Sequence, residues 1–97
     1  MDPPEEIPED SPERGLSDLA RRMGSEVANA DPSERSRVRD QALRRLVEAS
    51  SLRADWLRPA REWLEFESDA SGDPGAREGV AILRTVEALA DPSGGAR

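Results

Sequence analysis

The chain has 97 residues, with 21 acidic side chains against 14 basic ones, and it lacks histidine, cysteine, tyrosine and lysine. That length suits one small domain with tails. The missing residue types exclude imidazole acid–base chemistry, thiolate nucleophiles, disulfides, zinc–thiolate centres, Schiff bases and a P-loop lysine. What remains is carboxylates, arginines, ten serines and one threonine, so a non-enzymatic protein is expected.

No apolar run approaches the roughly 20 residues that span a bilayer. The acidic, proline-rich start is unlike a signal or transit peptide, and a cytoplasmic home is the default expectation. Charge is unevenly spread. Residues 1–20 hold seven acids and one arginine, residues 34–62 hold eight arginines and five acids, and residues 63–97 are acidic again.

Residues 1–10 carry Pro3, Pro4 and Pro8 without an apolar period, and a disordered acidic tail is expected there. Residues 11–91 are expected to form a single helical domain, and residues 92–97 a second disordered tail. No stretch shows the two-residue alternation of a strand.

The first helix is expected from Pro12 or Ser17 to Asn29. Leu16, Leu19, Met23 and Val27 recur at helical spacing, and Ala20 widens their stripe. The second is expected to start at Asp31-Pro32-Ser33-Glu34, read as an N-cap, a first-turn proline and a capping box. Val38, Ala42, Leu43, Leu46 and Val47 form its apolar face, and Ser50-Ser51 offers a stop and a new cap.

The third segment, Leu52 to about Ser68, is the most apolar. Leu52, Trp56, Ala60 and Trp63 stack on one line, Leu57 and Leu64 lie one step round, and Phe66 widens the arc to about half the cylinder. Pro59 is expected to kink or split this helix. Residues 69–73 read as a loop. The last helix is expected to start at Asp73-Pro74, to be weakened by Gly75 and Gly79 and to end at Asp91-Pro92. Ile82, Leu83, Val86, Leu89 and Ala90 form its stripe. The fold expected is all-α: a small antiparallel bundle of three to four helices.

Four constellations invite a functional reading. The arginines Arg35, Arg37, Arg39, Arg44, Arg45, Arg53, Arg58 and Arg61 could grip phosphates, with Arg37, Arg44 and Arg45 as the candidates and Arg37 and Arg44 on the outer face. Against this, Asp40 and Glu48 flank Arg44 at four residues, and Glu62 and Glu65 follow Arg58 and Arg61 at the same spacing, as in ordinary helix ion pairs. Asp69-x-Ser71-x-Asp73 resembles the start of a calcium loop, but Pro74 and Val80 stand where its glycine and glutamate belong, so no metal is expected. Glu65, Glu67 and Asp69 have no apolar pocket in view to tune a catalytic carboxyl.

Trp56 and Trp63 remain. Core packing is one reading, and a partner groove is the other, because aromatic residues concentrate at interfaces. The expected function is a protein-binding adaptor, inhibitor or regulatory subunit, or a self-associating chain, that uses Leu52, Trp56, Trp63 and Phe66 with Arg58 and Arg61 at the rim. The alternatives are a nucleic-acid-associated regulator using residues 35–61 and an acidic inhibitor that mimics nucleic acid. No cofactor is expected.

Overall fold

The computed structural model describes residues 7–90, and they form four helices: α1 (Pro12–Asn29), α2 (Arg35–Ser50), α3 (Ala54–Ser71) and α4 (Pro74–Ala90). Among the described residues there is no strand, and no helix is long and apolar enough to cross a membrane. The expected all-helical bundle is present.

α1 starts at the earlier of its two expected positions. The Ser11 hydroxyl accepts from the Arg14 N–H at 3.2 Å and donates to the Pro8 carbonyl at 2.6 Å, with Pro12 in the first turn. Residues 1–6 of the expected tail lie outside the described residues. Ile7 to Asp10 do not trail away: they form a turn in which Arg14 Nη1 donates to the Ile7 carbonyl at 3.0 Å.

The expected cap of α2 does not form. Residues 32–34 make a turn closed by the Glu34 N–H on the Asp31 carbonyl at 2.9 Å, and the helix begins only at Arg35. Glu34 occupies the cap position in a helical conformation and makes no side-chain cap bond. The turn consumes the residues that a capping box would have placed in the first helical turn. α2 also ends under strain, because Ser51 and Leu52 both adopt left-handed conformations, at φ 52° and 55°. Each costs about 1–2 kcal/mol for a residue with a side chain. Leu52 is thereby removed from α3, where the sequence had suggested it, and is 39% exposed.

α3 runs unbroken through Pro59, so the proline does not split it. It also outlasts its expected end by about a turn. Gly72, at φ 67°, closes it by donating its N–H to the Ser68 carbonyl at 2.8 Å. The expected loop therefore shrinks to Gly72 and Asp73, and Asp69 and Ser71 belong to the helix. α4 starts as expected: Asp73 Oδ1 accepts from the Gly75 N–H at 3.2 Å. Its expected stop at Asp91-Pro92, like the tail 92–97, lies outside the described residues.

The core is Leu16, Met23 and Val27 of α1, Leu46 of α2, Leu57 and Leu64 of α3, and Ile82, Leu83 and Val86 of α4, with small residues between. α1 and α4 share the most extensive contact; α2 and α3 each pack against both. Glycine makes the α1–α4 contact possible. A Cβ on Gly24 would lie 2.0 Å from the Gly75 carbonyl oxygen and 2.5 Å from the Gly79 nitrogen. One on Gly79 would lie 2.6 Å from the Ala20 carbonyl oxygen. The two backbones touch with nothing between them, so Gly75 and Gly79, read as weak points of a helix, are packing surfaces.

Two comparisons check this account by urea denaturation. Gly79→Ala should destabilise the chain by about 1–3 kcal/mol through overpacking, despite alanine's better helix propensity. Gly15→Ala, with nothing within 4 Å of its new methyl group, should stabilise it by about 0.5–1 kcal/mol. Ser11→Ala should cost about 1 kcal/mol, and Asp31→Ala less than about 0.5 kcal/mol, because only Ser11 caps.

Candidate interaction surface

The apolar arc of α3 is turned from its expected orientation. Leu57, Ala60, Leu64 and Ser68 face inward and are buried. The line of Trp56 and Trp63 falls about a quarter-turn away, and Phe66 farther still. All three aromatic residues are half-buried on the flank of α3. Leu52 does not join them.

Each tryptophan lies under a guanidinium. Arg14 of α1 sits 4.6 Å from the Trp63 ring centroid, and Arg53 sits 4.3 Å from that of Trp56. Both are stacking distances for cation–π attraction. Phe66 lies 6.0 Å from Trp63 at an interplanar angle of 43°. Arg53 is held over its ring by two hydrogen bonds to Asp55, at 3.2 and 2.7 Å. That carboxylate raises the pKa of Arg53, and Arg53 in turn lowers that of Asp55.

The Arg14–Trp63 stack lies where α1 meets α3, and the Arg53–Trp56 stack lies two turns earlier on the same side of α3. At its far end Arg21 reaches Asp73 at 3.7 Å and Glu67 at 3.9 Å. Between Arg21 and the Trp63–Phe66 pair lies an open notch of 310 Å³, lined also by Glu67, Ala70 and Ser71. The Trp63 indole nitrogen is buried with no hydrogen-bond partner among the described residues. Leaving such a donor unpaired costs about 1–3 kcal/mol. The seam therefore presents aromatic faces, guanidinium edges and the carboxylates of Glu67 and Asp73.

The expected rim divides. Arg58 stays exposed and reaches Glu62 at 3.7 Å. Arg61 lies about 160° round α3 from Trp63. It donates to Glu87 of α4 and to Glu65 on its own helix, and Arg84 approaches Glu65 at 3.4 Å. Hydrogen bonding to Glu87 raises the pKa of Arg61; burial opposes the shift, and Glu65 adds to it. Arg61 is thus a tie between helices and no part of the aromatic surface.

The arginines 35–61 do not form one surface either. Arg37 pairs with Glu34 at 2.8 Å, Arg39 reaches Glu78 of α4 at 3.3 Å, and Arg35 donates to the Ala30 carbonyl at 3.3 Å. Arg44 and Arg45 are exposed and have no ion pair among the described residues, so the expected pairs of Arg44 with Asp40 and Glu48 do not form. They border a groove of 630 Å³ between α1 and α2, with Met23, Val38 and Ala42 in its lining and Glu26 and Glu48 on its walls. Its mixed charge is a poor match to a phosphate backbone, which wants uncompensated cations. Among the described residues no group of three or more acidic side chains converges as a metal site.

Sequence reasoning found the aromatic residues and missed their partners. Arg14 and Arg21 lie more than 40 residues before Trp63 and look like ordinary exposed arginines of α1. Their seven-residue spacing, which puts both on one side of that helix, was the only available signal. No protein-family model matches the chain, and no curated protein or solved structure matches it.

The unequal ties yield a thermodynamic test. Glu87→Gln should cost about 1.5–3 kcal/mol, because it weakens a charge-assisted bond to a guanidinium only 21% exposed. Glu62→Gln should cost less than about 0.5 kcal/mol, because its pair with Arg58 is solvated. Equal losses in thermal or urea unfolding would contradict the distinction.

Proposed function

We propose that the chain is a non-catalytic protein-binding module and that its contact surface is the seam of α1 and α3. One observation carries the reading: two half-buried tryptophans lie on one side of α3, each stacked under a guanidinium, and for Trp63 that guanidinium comes from α1. Tryptophan and arginine are the residue types that most often dominate binding energy at protein interfaces. Here the stacked arginines hold the rings in place before a partner arrives, which lowers the ordering cost of association.

The surface comprises Trp56, Trp63 and Phe66 with Arg14, Arg21 and Arg53. Leu52, Arg58 and Arg61 do not belong to it. The reading includes a cytoplasmic home and an antiparallel course for the bundle. The latter is supported by Ala20 and Gly24 of α1 meeting Gly79 and Gly75 of α4 in reverse order. A nucleic-acid-associated regulator built on Arg37, Arg44 and Arg45 has less support, because acidic side chains stand among those arginines.

Site-specific photo-crosslinking in host extract tests the surface. A benzoylphenylalanine at exposed Ala70, beside the notch, should yield a discrete protein adduct, and Arg21→Glu should reduce it several-fold. The same probe at Arg22 should yield none. Adducts of equal yield at both positions, or at neither, would refute the seam as the contact surface.

A further inference from the structure

We propose that α2 is a detachable helix, released from the α1–α3–α4 unit by a local opening while the other three helices stay folded. Four features meet in α2 alone, although α3 also starts without a side-chain cap and α4 also lacks an acid in its first turn and a base in its last. The first is burial. Leu46 is the one large side chain of α2 that is fully buried, beside Ala42 and Ser50, while Val38, Leu43 and Val47 are covered only in part. By contrast, α4 buries Ile82, Leu83 and Val86, and α3 buries Leu57 and Leu64 with two tryptophans on its flank.

The second feature is the ends. α2 has no side-chain cap at its start, and it leaves through two consecutive left-handed residues that carry side chains. The third is charge. Arg35 and Arg37 occupy the first turn and Glu48 the last, the reverse of what the helix dipole favours, with no acid in the first turn and no base in the last. The fourth is seating. The 630 Å³ groove lies open between α2 and α1, and Arg39–Glu78 is the one ion pair that joins α2 to another helix among the described residues.

Few buried contacts, strained exits and opposed charges all lower the free energy of a local opening below that of global unfolding. Release of α2 bares Met23 on α1, which lines the groove, and the buried face of α4 around Ile82, one turn beyond Glu78. This apolar strip is separate from the aromatic seam. The opening therefore gives the bundle a second state that does not disturb the proposed contact surface.

Native-state hydrogen exchange on the full chain, followed by NMR across a range of urea concentrations, tests the proposal. The amides of 42–47 should be at least about tenfold less protected than those of 61–65 and 82–86, with a shallower urea dependence. Leu52→Gly relieves the left-handed exit and removes a side chain that packs little. It should raise the protection of 42–47 about threefold or more. One protection level and one urea slope across all four helices would overturn the proposal. So would protection of 42–47 that Leu52→Gly leaves unchanged.

Discussion

Two helix backbones can touch only where no Cβ stands between them, and three glycines create that condition between α1 and α4. Gly24, Gly75 and Gly79 let the carbonyl of one helix approach the backbone of the other within the space that a methyl group would need. Close approach multiplies weak dispersion contacts along both helices. It also fixes their register, because a slip of one residue would put the side chain of Met23 or Ser25 where Gly24 meets the Gly75 carbonyl oxygen and the Gly79 nitrogen. The rest of the bundle is arranged around this pair.

α3 and α2 use the pair differently. α3 is fastened on two sides. Arg61 ties it to Glu87 of α4, and Arg14 and Arg21 of α1 meet its aromatic and acidic flank. α2 has Leu46, a few half-covered aliphatic side chains and one long-range ion pair. Tight fastening and loose fastening thus fall on different helices. The proposed contact surface lies on the tightly fastened one, where the rings are held in a defined geometry.

Much of the fold was legible because helix periodicity is a local signal. The stripes of α1 and α4, and the Asp73-Pro74 start, depend on residues within a turn of one another. The expectations that failed each met a competing interaction. Asp31-Pro32 could cap a helix or close a turn, and the backbone bond from Glu34 to Asp31 took the turn. Leu52 fitted the apolar line of α3 in projection, but a left-handed turn placed it outside the helix. Gly75 and Gly79 read as defects because a sequence shows their lost propensity and not the backbone they meet. The aromatic surface was half legible: Trp56, Trp63 and Phe66 declare themselves by type, whereas Arg14 is paired with Trp63 only by the tertiary packing of α1 on α3.

The central claim is that α1 and α4 meet backbone to backbone, and an isotope-edited NOE spectrum of the full chain tests it most directly. The account predicts strong cross-peaks from the Gly24 α-protons to the backbone protons of Gly75 and Gly79, and from those of Gly79 to Ala20. Spectra in which these glycine protons show NOEs to side chains alone, with no backbone cross-peak between the helices, would contradict it.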